Sequence, residues 1–268
     1  MVLAMPDRVV KTVSDFLRRV RNLLDLWPPE EGPTRRGEEQ NVWFRGQRSA
    51  NWGLSPRIYR PDFAGADEAE IRQEFQSKAL QLIQARLPQT AYEWYFLMQH
   101  YGAPTRLLDW TDNPLLGLFF AVEEDRPRGD AAVWALDPSW WNNQLEMPFN
   151  APILPDWKEA RFWLYELEDA FSTDVQAAQP YPVTIDPPHV DRRLTVQGSH
   201  FLIFGTRKNF ERTRLVRGPK SRLTKIVVHR DAVSDIRREL ERYGINRFSV
   251  FPDMDNLCVE IRRKWKKF

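Results

Sequence analysis

Two short stretches concentrate the residues able to do chemistry. The first, WFRGQRSANWGLSPRIYR at residues 43–60, sets Arg45 behind two aromatic residues and ahead of Gly46 and Gln47, with Arg48, Arg57 and Arg60 downstream. A guanidinium presents a planar fork of N–H donors that matches phosphate or carboxylate. Gly46 would let a ligand or another strand approach closely. The same arrangement would equally serve a buried ion pair between Arg45 and Asp109. The second stretch, QHYGAPTRLLDWTDNP at residues 99–114, holds His100, Arg106, Asp109, Trp110, Thr111 and Asp112 around a Gly and a Pro. A histidine there could shuttle a proton or orient a ligand, or could be a core histidine at a helix end. Asp112 or Asn113, with Pro114 behind, is good helix-capping chemistry. Once capping is assigned, His100, Arg106, Asp109 and Thr111 are left as one wall of a pocket whose other wall is FRGQ. Arg106 could pair with Asp109 or reach across to that wall.

Common catalytic signatures are absent. The chain has no Walker A loop, GxGxxG, HExxH, CxxC or GxSxG. None of its four His stands at metal-ligand spacing from a second His or Cys, so no metal is expected. The single cysteine, Cys258, cannot form an internal disulfide, and its apolar setting predicts a buried thiol. The charge is nearly balanced, 39 basic against 37 acidic residues, so the whole molecule does not attract polyanions. Basic residues gather locally, in RTRLVRGPKSR at 212–222 and IRRKWKKF at 261–268. The latter reads as a solvated tail or as a contact for nucleic acid or an acidic partner. No apolar run reaches the roughly 18 residues of a membrane span, and no signal core opens the chain; the expected address is cytoplasmic, with no membrane partner.

The elements that must position these residues follow from periodicity. Residues 12–27 have helical apolar spacing with Ser14 as N-cap, and a polar loop follows over 28–40. A strand is predicted over 41–47, a helix over 67–86 and another over 92–101, closed by Gly102. An extended segment then feeds an apolar, buried helix near 115–124. AAVWAL at 131–136 is a core strand, and 138–160 reads as irregular. YPVTI, LTVQG, HFLIFG and LTKIVVH should be strands, and 231–245 a helix capped by Asp231 and stopped by Gly244. Without a βαβ rhythm this is an α+β fold, a mixed and largely antiparallel β-core with flanking helices. Residues 1–36 form an N-terminal helix and linker, and 37–268 the main domain.

The combination FRGQ, LSPRIYR and MQHYGAPTRLLDWTDNPLLGLFFAV resembles the FRG domain, a prokaryotic family named for its (F/Y)RG motif. The motif core spans 41–136, and RRLTVQGSHFLIFG and INRFSVFPDMDNL resemble that family's C-terminal half more loosely. The family fixes no reaction. A weaker similarity is to ADP-ribosyltransferases. These place an Arg or His on a first strand, a hydroxyl residue on a strand that feeds a helix, and a Glu or Gln on a further strand. Arg45, Thr111 and Gln197 match in order. That similarity implies an ADP-ribosyltransferase-like core that binds NAD. Arg45 would clamp the diphosphate or ribose, and Thr111 would hold the ribose. Trp43, Trp52, Trp110 or Phe120 would stack nicotinamide. Gln197 stands where active transferases mostly have Glu, and an amide carries no charge. The missing charge would pass to His100, Asp109 or Glu260. Such an enzyme could be a toxin or phage-defence effector, an ADP-ribosyltransferase or NAD glycohydrolase. Its target would be a protein or nucleic acid, and an antitoxin or regulatory partner would accompany it. Two other readings use the same residues: a non-catalytic nucleotide or nucleic-acid binding module, and a metal-independent nuclease built on His100.

Overall fold

A computed structural model describes residues 9–27, 42–83, 86–123, 129–145, 181–186 and 197–266. The polar loop read at 28–40 and residues 146–160 lie outside that set. So does most of LTVQG.

Among the described residues, seven strands form one sheet in the order β1-β7-β4-β2-β3-β6-β5. They are β1 (Val9–Val10), β2 (Trp43–Gln47), β3 (Leu107–Thr111), β4 (Ala131–Leu136), β5 (Val183–Ile185), β6 (Ser199–Ile203) and β7 (Leu223–Val228). Among these described strands, β1 and β7 alone pair in parallel. The other neighbours are antiparallel, so the α+β fold with a mixed, mostly antiparallel core is as expected.

Strand alternation builds a core on each face of the sheet. Phe44, Val133, Ala135, Ile226 and Val228 face one side. That side is covered by α1 (Val13–Leu26), α4 (Pro114–Val122) and α6 (Val233–Arg242). Trp43, Trp134, Leu136 and Leu202 face the other side, under α5 (Pro138–Gln144) and two short 3-10 turns carrying Phe210 and Val216. Three further helices stand beside these layers: α2 (Glu68–Ala79), α3 (Ala91–His100) and α7 (Arg247–Val250). The last, α8 (Met254–Trp265), has no buried residue.

The apolar helix α4 explains part of the FRG signature. Asn113 caps it, its Oδ1 accepting from the N–H groups of Leu115 (2.9 Å) and Leu116 (3.4 Å), so Asn113 rather than Asp112 is the cap. The helix lies directly on β2. A Cβ on Gly46 would stand 2.1 Å from the Gly117 carbonyl oxygen, and one on Gly117 would stand 2.8 Å from Phe44 Cβ. The close approach expected at Gly46 is therefore that of a helix, not of a ligand or strand.

Several local expectations are corrected. Thr12, not Ser14, caps α1, accepting from Asp15 N–H at 3.0 Å. Asp231 lies inside a 3-10 turn, and α6 begins after Ala232. Residues 138–144 are helical, because Asp137 caps them and Trp140 and Trp141 bury against the sheet. Cys258 is exposed, since α8 lies on the surface and turns it outward. The predicted helix at 67–86 ends at Ala79.

Candidate functional site

The sheet comes apart where the site lies. β2 and β3 share one bridge, Phe44 with Thr111. By contrast β2–β4 and β3–β6 run five pairs each. Past that single bridge the Arg45 side chain spans the gap. Its Nη1 donates to the Asp109 carbonyl at 2.6 Å and lies 3.7 Å from the Asp109 carboxylate. A side chain thus stands where a backbone ladder bond would otherwise run.

The opening is a cleft of about 870 Å³. Arg45, Gly46, Gln47, His100, Asp109, Trp110, Thr111 and Gln197 all line it, as do Arg48, Arg57 and Arg60. Four guanidinium groups face it against two carboxylates, Asp62 and Asp109, among the described residues. Burial, opposed by Asp109 and reinforced by Arg60, draws the Arg45 pKa down to about 10, so the group stays cationic at neutral pH. Arg60 is also lowered, first by burial and then by neighbouring Arg57. Crowded cations of this kind are relieved by an anion.

Several cleft residues are braced from behind. Gln99 Nε2 donates to the Asp109 carboxylate at 2.7 Å, and Thr105 Oγ1 donates to Gln99 Oε1 at 2.5 Å. Asp109 is thereby aimed while its side chain stays 55% exposed. Arg57 Nη1 donates to the carbonyl of Gly102, which has a positive φ of 76° at the end of α3. Gln47 spends its amide internally, donating to the Gly53 carbonyl and accepting from Trp134 Nε1. It shapes the 48–53 loop rather than offering a free group. Thr111 is similarly engaged: its hydroxyl donates to the Gln197 carbonyl at 2.6 Å and accepts from Asn113 N–H. Gln197 sits in the turn ahead of β6, not on a strand, and its Nε2 donates to the Val250 carbonyl at 3.1 Å.

Two expected participants lie elsewhere. Arg106 does not line the cleft. Glu68, at the start of α2, receives both its Nε and its backbone N–H, the latter at 2.7 Å. Glu260 is also outside the cleft lining and accepts from Asn246 Nδ2. Sequence reading missed Gln99, which stands beside the more conspicuous His100. It also missed Asn209 and Phe251, which reach the cleft from elements distant in sequence. Among the described residues no group of three or more His, Cys, Asp or Glu could hold a metal ion, and no helix is long and apolar enough to cross a membrane.

Behind the cleft, His200 on β6 stacks on Trp43 with ring centroids 4.5 Å apart. Its Nδ1 is 3.0 Å from Asp186, and its Nε2 is 3.8 Å from Asp112, an ion-pair rather than hydrogen-bond separation. Burial works against the charged ring, but Asp112 and Asp186 together more than offset it, and the net pKa is raised. A pKa raised on folding contributes stability in full below the unfolded value of about 6.5 and loses it as pH rises through the folded value. Denaturant midpoints should therefore fall between pH 6 and pH 9 in the wild type and fall less in His200→Asn. Equal slopes in the two proteins would contradict this account.

These features define an α+β protein whose sheet opens over an arginine-lined cleft. The chain carries an FRG domain: the family model of that description matches residues 40–131. Every described cleft residue except Gln197, Ser199, Asn209 and Phe251 falls within that stretch. No curated protein and no solved structure matches the chain.

Proposed function

We propose that the cleft binds a nucleotide diphosphate, with NAD as the ligand, and that it supports ADP-ribosyltransferase-like chemistry. The observation that carries this reading is the gathering of Arg45, Arg48, Arg57 and Arg60 around one opening that also presents Trp52 and Trp110. Trp52 is 48% exposed, with the Arg48 guanidinium 5.7 Å from its ring centroid, a surface on which a base can stack. The arginines suit the diphosphate. In the reaction the bond between nicotinamide nitrogen and ribose C1′ breaks, and the electron pair leaves with nicotinamide. A water or acceptor oxygen forms the new C1′–O bond and releases its proton.

Positive charge develops on the ribose, and a fixed carboxylate stabilises it better than an amide can. Asp109 takes the role that the transferase resemblance gave to Gln197, because Asp109 is charged, exposed to the cleft and held by Gln99. His100 lines the same cleft at the end of α3, and in this reading it accepts the released proton.

Binding is measured by calorimetry and thermal shift with NAD and ADP-ribose, and turnover by free nicotinamide. Arg45→Ala should weaken ADP-ribose by roughly tenfold to a hundredfold. Asp109→Asn should retain binding and lose roughly a hundredfold in nicotinamide release. If neither nucleotide binds the wild type, the reading fails. A second reading, a pocket that holds a nucleotide without turning it over, draws on the internal use of the Thr111 hydroxyl and the Gln197 amide. Tight ADP-ribose binding with no nicotinamide released would favour it.

A further inference from the structure

Two buried tryptophans have a partner for the indole N–H, while Trp43 Nε1, on a residue outside the cleft lining, is buried without one. Trp134 donates to Gln47 Oε1 at 2.8 Å, and Trp141 donates to the Pro182 carbonyl at 2.7 Å. Trp110 does not. Its Nε1 is buried without a hydrogen-bond partner, although the residue is 2% exposed and lines the cleft. Arg45 Nε is in the same condition, on a residue that lines the same cleft.

The two residues are linked by strand geometry. Arg45 stands opposite Trp134 on β4, and Trp110 packs in the same buried cluster as Trp134, which puts Arg45 and Trp110 on one face of the sheet. Residues opposite each other across antiparallel strands project to the same face. Both groups are donors with no acceptor capacity, so they cannot satisfy each other. A buried donor left unpaired costs stability, and native proteins leave few of them. Two such donors on one face, at the place where the sheet opens, form a half-site for an acceptor.

We infer that the cleft floor binds an anionic phosphate oxygen of the ligand through Arg45 Nε and Trp110 Nε1, which makes Trp110 a ligand-binding residue through its N–H rather than a nicotinamide-stacking one. This rests on the nucleotide reading above and adds to it which part of the nucleotide is held deepest. The acceptor is assigned to phosphate rather than to the nicotinamide carboxamide because Arg45 is cationic and Arg57 and Arg60 line the same cleft. Charge-assisted bonds from such donors are about twice as strong as neutral ones.

The test compares the wild type with Trp110→Phe and Arg45→Lys in the full chain. Trp110→Phe keeps a large aromatic ring and deletes the N–H; Arg45→Lys keeps the cation and deletes the Nε donor along with the Nη1 bond to the Asp109 carbonyl. Without ligand, Trp110→Phe should melt below the wild type only by as much as the cavity left by the smaller ring accounts for. Each variant should bind ADP-ribose roughly tenfold more weakly. Pyrophosphate should shift the wild-type melting midpoint, and nicotinamide alone should not. If ADP-ribose binds the wild type and both variants equally well, the inference is overturned while the nucleotide reading stands. A shift by nicotinamide without one by pyrophosphate would also overturn it. If no probe binds the wild type, both fall together. Should Trp110→Phe fold poorly because of its cavity, Arg45→Lys still reports on the site.

Discussion

Gly46→Ala is expected to destabilise the protein by about 3 kcal/mol, near the upper end of what overpacking a core usually costs. The added methyl would sit 2.1 Å from the Gly117 carbonyl oxygen, 2.5 Å from Ala121 N and 2.8 Å from Phe120 C. All three are backbone atoms of a helix, so no side chain can swing aside. Helix α4 would have to lift from β2, and it carries Leu116, Leu118, Phe119, Ala121 and Val122 into the core. Gly117→Ala meets only the Phe44 Cβ closely and should cost less. Gly129→Ala, where an added Cβ meets nothing within 4 Å, is the control and should be close to neutral. Urea denaturation of the three variants checks the order. A Gly46→Ala protein as stable as the Gly129→Ala control would refute the packing account of the FRG glycine. The same displacement would move Phe120, which lines the cleft, so ligand binding should weaken along with stability.

Glu68→Ala should cost about 3–5 kcal/mol, the range for stranding one member of a buried ion pair. Glu68 and Arg106 side chains are 7% and 12% exposed, and each is the other's ionic partner. Burial raises the Glu68 pKa, and Arg106 pulls it back only in part. The pair is thus costly to bury, and its removal as a unit should be far milder than its breakage. Glu68→Ala removes the carboxylate from the Arg106 Nε and also deprives the Arg106 backbone N–H of its acceptor. The double variant Glu68→Met with Arg106→Met should recover much of the loss, short of the backbone bond. A double-mutant cycle measured by denaturation gives the coupling. Additive losses in that cycle would contradict the pairing. Because Arg106 lies outside the cleft, nucleotide affinity per folded molecule should be little changed in the double variant.

Much of the fold could be read along the chain. The α+β class follows from alternating apolar runs and helical periodicities without a βαβ rhythm. The apolar helix after Pro114 is plain from composition, as are the strands AAVWAL and LTKIVVH. The FRG segment and the block around Asp109 were also recognisable as two walls of one pocket, because polar residues adjoined elements too apolar to face water. Errors clustered where local signals compete. Ser14 and Thr12 are both good caps, and tertiary contacts choose between them. Residues 138–144 looked irregular because Pro and Trp are poor helix formers, yet burial of Trp140 and Trp141 outweighs that preference.

Residue types and local spacing determined which groups could do chemistry: a set of guanidiniums, the carboxylates of Asp109 and Asp112, and no metal-ligand spacing. They could not determine partners. Arg106 was three residues from Asp109 in sequence, but strand β3 and helix α2 bring it to Glu68 instead. Gly46 admits a helix that begins almost seventy residues later, and Thr111 and Gln197 meet each other through hydroxyl and carbonyl. The opening between β2 and β3, and the unpaired donors of Arg45 and Trp110 within it, exist only once the strands are assembled. Pairing is a long-range property: it depends on which backbone groups a distant segment satisfies and which it leaves for a ligand.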